Sequence, residues 1–509
     1  MVYHGVSRGC ETCKQRRKKC DEARPVCNRC RKANRTCRGY KDETDLIFRH
    51  HRHGLDHFRD HSDSQDEQGP PSDDPKTHIP SVAHYTTADW RNATFEREAR
   101  EQFLLDYSVI SSDRSLSRGY LEGLRQLLVY CGPSSELSQA VTIVSFASYA
   151  NKHSRPEISA EAKYLYFQLL QSFQRTISNV ATSNIVEPLL TAVLLGLYEI
   201  ISTTEAYPSA HSAHSKGVSA ILTSEHSPFD IFAGAKLFQM SNPLRLDPAR
   251  LENSRNHGIL CAPLLADSVQ SLDSIMVRTR PIAARMQQLI KSPTDMTAEE
   301  LGQLREDMIL LVRDYAQWAE NQPPEWSPKL IGTMNQSQAR SAGTIYWPGR
   351  LESYFDLYVA GIWNCYRKSR LLFLDQVIRC ELQFPEPDRK LTVGRLYSEV
   401  QTLAADLAAS VHFHLTGSAE MPPSSPHGVI TPGKSVGGLL ILHPLTVSST
   451  LSVVSPEMQT HFRNCLAWIG DNMGIGQATL LAKNPGGLPY NFIKDGHVLV
   501  WAGMLVSQI

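Results

Sequence analysis

The chain has 509 residues, 41% of them hydrophobic, with 52 Lys and Arg balancing 52 Asp and Glu. That length allows two or three domains and a large core. The neutral total hides an asymmetry: Met1 to Lys41 holds 13 Lys and Arg against 3 Asp and Glu, so a basic head precedes a slightly acidic remainder. Such a head suits a polyanionic partner. A membrane span is excluded on length, because the most apolar stretch, Leu189 to Ile201 (LLTAVLLGLYEII), is 13 residues long and contains Glu199. A buried core helix is expected there instead. The opening MVYHGVSRGC has no apolar signal core, so a secreted disulfide framework loses its compartment and a reducing one is expected.

Of 11 cysteines, six lie between Cys10 and Cys37 in the order C-x2-C-x6-C-x6-C-x2-C-x6-C. The halves Cys10–Cys13–Cys20 and Cys27–Cys30–Cys37 have identical spacing, offset by 17 residues. Zinc takes four tetrahedral ligands and favours thiolate. Six sulfurs saturate two zincs only if two of them bridge, so each half supplies one bridging and two terminal thiolates. A module of about 30 residues buries too little core to fold unaided, and metal binding would supply its folding energy. Three alternatives fit the spacing less well. One zinc on four cysteines leaves two thiols idle at symmetric spacing. Three disulfides need an oxidising compartment. An iron–sulfur site would ordinarily avoid a run of cations.

On this spacing the chain resembles the fungal binuclear zinc-cluster transcription factors. Pro25 between the halves and Asp21 after Cys20 fit the family pattern. The resemblance implies two Zn²⁺ ions held by Cys10, Cys13, Cys20, Cys27, Cys30 and Cys37, with Cys10 and Cys27 bridging. It implies a DNA-binding module over residues 8–40, double-stranded DNA and the transcription machinery as partners, and a nuclear location. A first helix is expected roughly from Cys13 to Lys19, with Lys14, Arg16, Arg17, Lys18 and Lys19 around its circumference. The family reads CGG triplets from the end of this helix, usually through a lysine; Arg17 stands at that position. Arginine can pair bidentately with guanine O6 and N7. Lys19, Arg29, Arg31 and Lys32 are expected on phosphate, which positions the protein without reading sequence.

Residues 41–92 read as a largely disordered linker, acidic and Pro-rich towards its end. His53, His57 and His61 recur at a four-residue interval, but Gly54 and the acidic continuation argue against a metal-binding helix. Family members often pair through heptads after the linker. No a/d pattern lasts three heptads between Lys41 and Arg91, so a homodimer would need contacts from the body.

Residues 93–509 read as an all-helical body, resembling the fungal-specific regulatory domain that follows such clusters. The fold class is therefore mostly α. TFEREAREQFLLDY carries apolar Phe95, Phe103, Leu104 and Tyr107; the next long pattern carries Tyr164, Phe167, Leu170 and Phe173. Thr297 and Glu300 form a capping box before a long amphipathic run, and LESYFDLYVAGIWNCYRKSRLLFLDQVI reads as one helix. Ser455 and Pro456 open another. Gly428 to Ser435 (GVITPGKS) matches the phosphate-loop pattern, but EMPPSSPH before it is no strand, so a Pro/Gly loop is expected. There is no HExxH pair, no GxSxG elbow and no GxGxxG after a strand. The sequence therefore points to a DNA-binding regulator, and the resemblance implies a metabolic or secondary-metabolite gene set as its target. The rival reading is a zinc-stabilised docking element on a ligand- or partner-binding body.

Overall fold

The computed structural model describes residues 10–16, 18–21, 27–33, 35, 37, 93–178, 186–203, 210–222, 272–292, 296–422, 430–486 and 490–504. The chain divides into two units, Met1–His84 and Tyr85–Ile509, described in turn.

In the first unit, helix α1 spans Glu11–Gln15 and α2 spans Asn28–Lys32. The expected helix through Lys19 is shorter than its sequence reading. Its end is closed by a bond from Lys18 N–H to the Cys13 carbonyl, 3.0 Å, a six-residue loop that terminates helices. The same bond recurs 17 residues later, from Arg35 N–H to the Cys30 carbonyl, 3.0 Å. The internal repeat of the sequence is thus a repeat of backbone geometry. Lys18 and Lys19 lie beyond the helix, because the chain must turn back to return Cys20 to the other sulfurs. The linker histidines lie outside the described residues.

The second unit is largely helical, with one small sheet among the described residues. It comprises α3 (Ala93–Tyr107), α4 (Leu124–Cys131), α5 (Glu136–His153), α6 (Pro156–Ser178), α7 (Val186–Ser202) and α8 (Ala210–Leu222). Then follow α9 (Leu272–Lys291), α10 (Ala298–Glu320), β1 (Lys329–Met334), α11 (Gln336–Ala342), β2 (Gly349–Ser353) and α12 (Leu357–Glu381). The chain continues as α13 (Val393–Thr416), α14 (Ser435–Ser448), α15 (Pro456–Met473), α16 (Gly476–Lys483) and α17 (Tyr490–Ala502).

Caps set several boundaries as expected. The Thr297 side chain accepts from Glu300 N–H while the Glu300 carboxylate accepts from Thr297 N–H, 2.8 Å. Ser455 caps α15, with Pro456 in the first turn. Two expectations need correction. LESYFD is not helical: Leu351–Ser353 belong to β2, and Asp356 caps α12 by accepting from Val359 N–H, 2.9 Å. On α6, Tyr164 is exposed, and the buried stripe is Ile158, Ala162, Tyr166, Leu169, Leu170 and Phe173. The body is also not purely helical. β1 pairs antiparallel with β2, Lys329 opposite Ser353 and Met334 opposite Gly349, with an irregularity between Leu330 and Gly332. Neither strand alternates buried and exposed residues, so the sequence carries no period-two signal there.

The core lies around α7, α12 and α14. The stretch Leu189 to Ile201 forms most of α7, and nearly all its side chains are buried, as expected of a core helix. Among the described residues no helix is long and apolar enough to cross a membrane. Every residue of α14 is buried, which makes it apolar all round and central. It packs on α12, α13, α15 and α17. The pair Gly437–Gly438 permits this: a Cβ on Gly437 would stand 1.8 Å from the His414 carbonyl oxygen, and one on Gly438 2.6 Å from the Met473 sulfur. The phosphate-loop match ends at the start of this helix. Lys434 donates from Nζ to the Ser108 carbonyl, 3.2 Å, and Ser435 donates to the Met473 carbonyl, 3.4 Å. Both side chains serve packing, and among the described residues the element before them in the chain is α13.

Candidate metal centre and nucleic-acid interface

Each short helix of the first unit begins at a cysteine pair. Cys27 is the N-cap of α2, and its sulfur accepts from Cys30 N–H, 3.2 Å. Seventeen residues earlier the Cys10 sulfur accepts from Cys13 N–H, 3.4 Å. The C-x2-C spacing therefore places two sulfurs at the positive end of each helix, which favours thiolate. Cys20 returns to the same place and accepts from Cys10 N–H, 3.4 Å. Asp21 accepts from Asn28 N–H, 3.0 Å, and so satisfies a second donor at the start of α2.

The six sulfurs form two overlapping groups. Cys10, Cys13, Cys20 and Cys27 form one, and Cys10, Cys27, Cys30 and Cys37 the other, with the sulfurs of each group within 4.8 Å of one another. Cys10 and Cys27 belong to both, 3.6 Å apart. The distances Cys10–Cys30 and Cys13–Cys27 are both 3.8 Å. A tetrahedral zinc site with Zn–S bonds of about 2.3 Å separates its sulfurs by about 3.8 Å. A disulfide requires about 2.05 Å, and none of the six cysteines is in a disulfide. The geometry fits thiolates around a shared metal and not the disulfide alternative. Cys10, Cys13, Cys27 and Cys30 are buried, while Cys20 and Cys37 are partly exposed. Burial pushes the Cys27 thiol up to about 12 and raises Cys10 and Cys13 as well. A cation held between these sulfurs would offset that burial and displace their protons.

The surrounding charge is basic. Arg16, Lys18, Lys19, Arg29, Arg31, Lys32 and Arg35 are exposed. Lys14 lies on α1, while Arg17 and Pro25 lie outside the described residues. Two expected phosphate contacts already have protein partners. Arg29 donates to the Lys19 carbonyl, 2.8 Å, tying the two halves together, and Arg31 donates to Asn28 Oδ1, 2.6 Å. The Arg29 tie spans ten residues with no motif to announce it. Lys18, Lys19 and Lys32 remain as exposed point charges.

The model of the fungal Zn(2)-Cys(6) binuclear cluster domain matches residues 8–46. Transcription factor dbaG of Emericella nidulans is 36% identical over 448 residues, covering 86% of this chain and 100% of that protein. Two further proteins match over 42 residues only. Sterol uptake control protein 2 of Candida albicans is 60% identical there, over 8% of this chain and 6% of its own length. Transcription activator AMTR1 of Alternaria alternata is 50% identical, over 8% of this chain and 5% of its own length. No solved structure matches the chain.

Proposed function

Since the chain belongs to the fungal Zn(2)-Cys(6) transcription factors, we propose that its head binds two zinc ions and reads CGG-type triplets in the major groove of DNA. The observation that carries this reading is the pair of overlapping four-sulfur groups sharing Cys10 and Cys27. Two ions need eight Zn–S bonds, and six sulfurs supply them when those two bridge. Cys13, Cys20, Cys30 and Cys37 are then terminal ligands. Two Zn²⁺ and six thiolates sum to −2, which explains why a dense cationic run is tolerated beside them.

DNA contact falls to Lys14, Arg16, Arg17, Lys18 and Lys19. Arg17 reads a guanine, and the lysines beyond α1 hold phosphate. Pro25 shapes the turn between the halves. The chain acts in the nucleus on a metabolic or secondary-metabolite gene set and works with the transcription machinery. The division into a cluster module over 8–40, a linker over 41–92 and a regulatory body over 93–509 completes the reading. It assigns the chain no catalysis.

Selection of bound duplexes from a random pool, with the zinc-loaded full chain, tests it. Two CGG triplets enriched at a fixed spacing indicate a homodimer. A single enriched triplet indicates a monomer or a loosely tethered pair. No enrichment at moderate salt overturns direct sequence reading and favours a docking role for the head.

A further inference from the structure

Several buried polar groups converge where α8, α12, α14, α16 and α17 meet. Lys368 on α12 is 7% exposed, and its Nζ lies 3.0 Å from Nε2 of His497 on α17. Among the described residues no carboxylate lies within ion-pairing distance of that ammonium, although 13 other basic–acidic pairs form in the body. Asp495, two residues before His497 on α17, accepts from the Ser212 hydroxyl on α8. A buried cation without a counter-charge is costly and calls for an anion.

The groups around it have unused hydrogen-bonding capacity. Lys368 donates to His497 Nε2, so the ring proton sits on Nδ1, which is buried and has no partner. His443 on α14 is 1% exposed, and its Nε2 is unpartnered. Gln477 on α16 is fully buried with both amide atoms unpartnered, and Trp501 Nε1 is unpartnered as well. These side chains adjoin one another. The His443 and His497 rings are 5.5 Å apart, and the His497 and Trp501 rings 5.8 Å. A Cβ on Gly496 would stand 2.8 Å from His443 Nε2 and 3.4 Å from Gln477 Oε1, so the glycine lets both approach the α17 backbone. Gln477 sits in the first turn of α16, whose cap residue Ile475 offers no side-chain bond, and the helix's positive end adds to the local potential.

The charge and the unpartnered atoms specify a ligand class. One uncompensated ammonium asks for one negative charge. Trp501 Nε1–H and His497 Nδ1–H ask for acceptors. Gln477 Oε1 asks for a donor, which neither chloride nor a bare carboxylate provides. We propose that this cluster is an internal binding site for a small hydroxycarboxylate, its carboxylate paired with Lys368 and its hydroxyl read by the Gln477 amide. The site lies in the body and is independent of the DNA-reading proposal.

The test is thermal unfolding of the zinc-loaded full chain titrated with glycolate, acetate or chloride at matched sodium concentration. Glycolate is expected to raise the midpoint saturably and chloride to leave it unmoved. Lys368→Met removes an unpaired buried charge, so it is expected to fold and to lose the glycolate response. Gln477→Leu is expected to keep a response to both carboxylates while weakening the preference for glycolate over acetate by about tenfold, or about 1.4 kcal/mol. A glycolate response no larger than that to chloride, or one that survives in Lys368→Met, overturns the site. An unchanged preference in Gln477→Leu overturns the assignment of the hydroxyl.

Discussion

Arg367 on α12 reaches Glu352 on β2 across 3.1 Å, with both side chains buried. The same guanidinium donates to the Tyr354 hydroxyl, 2.8 Å, and to Asn364 Oδ1, 2.9 Å, while Asn364 donates onward to Ser410 on α13, 2.9 Å. The small sheet is therefore fixed to the helical core by a satisfied polar network rather than by apolar packing alone. Removing one partner of such a pair leaves a buried charge, typically at a cost of about 3–5 kcal/mol. Arg367→Met is expected near the low end, because Arg350 also contacts Glu352. Urea unfolding of the variant measures this. A cost under about 1 kcal/mol would show that Arg350 alone neutralises Glu352.

The zinc reading makes a separable prediction. Among the described residues the head's buried cluster consists of its cysteines alone, and the body has a core of its own. Cys20→Ser, or a strong chelator, is therefore expected to unfold the head and abolish DNA binding. The helical signal of the body should remain. Zinc content by mass spectrometry, far-ultraviolet dichroism and duplex binding together report the outcome. DNA binding that persists in Cys20→Ser would show that the cluster does not hold the reading head.

The legible parts of this protein were those whose physics is local. Cysteine spacing announced the sulfur groups, because C-x2-C fixes two sulfurs on one helix start. Thr297–Glu300 and Ser455 announced helix starts, because a cap is a bond across three residues. The misses were longer-range. Nothing in KLIGTM or GRLES announces that these segments pair across 15 or more residues of chain. The end of α1 depends on where Cys20 must return, and six consecutive polar residues do not encode that. Lys368 reads as one more cation on a helix until His497, 129 residues away, is brought beside it.

Glu199 gives a pH dependence with a definite sign. The Tyr166 hydroxyl donates to its carboxylate, 2.5 Å, and accepts in turn from His214 Nε2, 2.8 Å. Burial raises the Glu199 carboxyl to about 7, although the Tyr166 bond and Lys163 oppose the shift. An unfolded glutamate titrates near 4.3. The folded state thus binds the proton more tightly, and stability from this group is complete below that value. It is lost as pH rises from about 4.3 through about 7. Glu199→Gln keeps a hydrogen-bond acceptor and removes the charge. Melting temperatures at pH 5 and pH 7.5 should diverge less in the variant than in the parent, with the variant the more stable at pH 7.5. Equal pH slopes would show that the carboxylate is solvated in the folded state.

Arg17 carries the claim to sequence reading, and its replacement distinguishes two kinds of contact. A bidentate arginine–guanine pair is worth about 1–3 kcal/mol of discrimination against another base, whereas a phosphate contact carries none. Arg17→Ala is expected to lose its preference at one guanine of the triplet and to retain salt-sensitive, non-specific binding through the exposed Lys18, Lys19 and Lys32. Lys19→Ala is expected to do the reverse, weakening binding uniformly across sequences and reducing its salt slope by about one counter-ion. Competition of matched and single-substitution duplexes at two salt concentrations separates these outcomes. If Arg17→Ala weakened every duplex equally, Arg17 would belong on phosphate, and the base contact would pass to Arg16 or Lys18, which flank it.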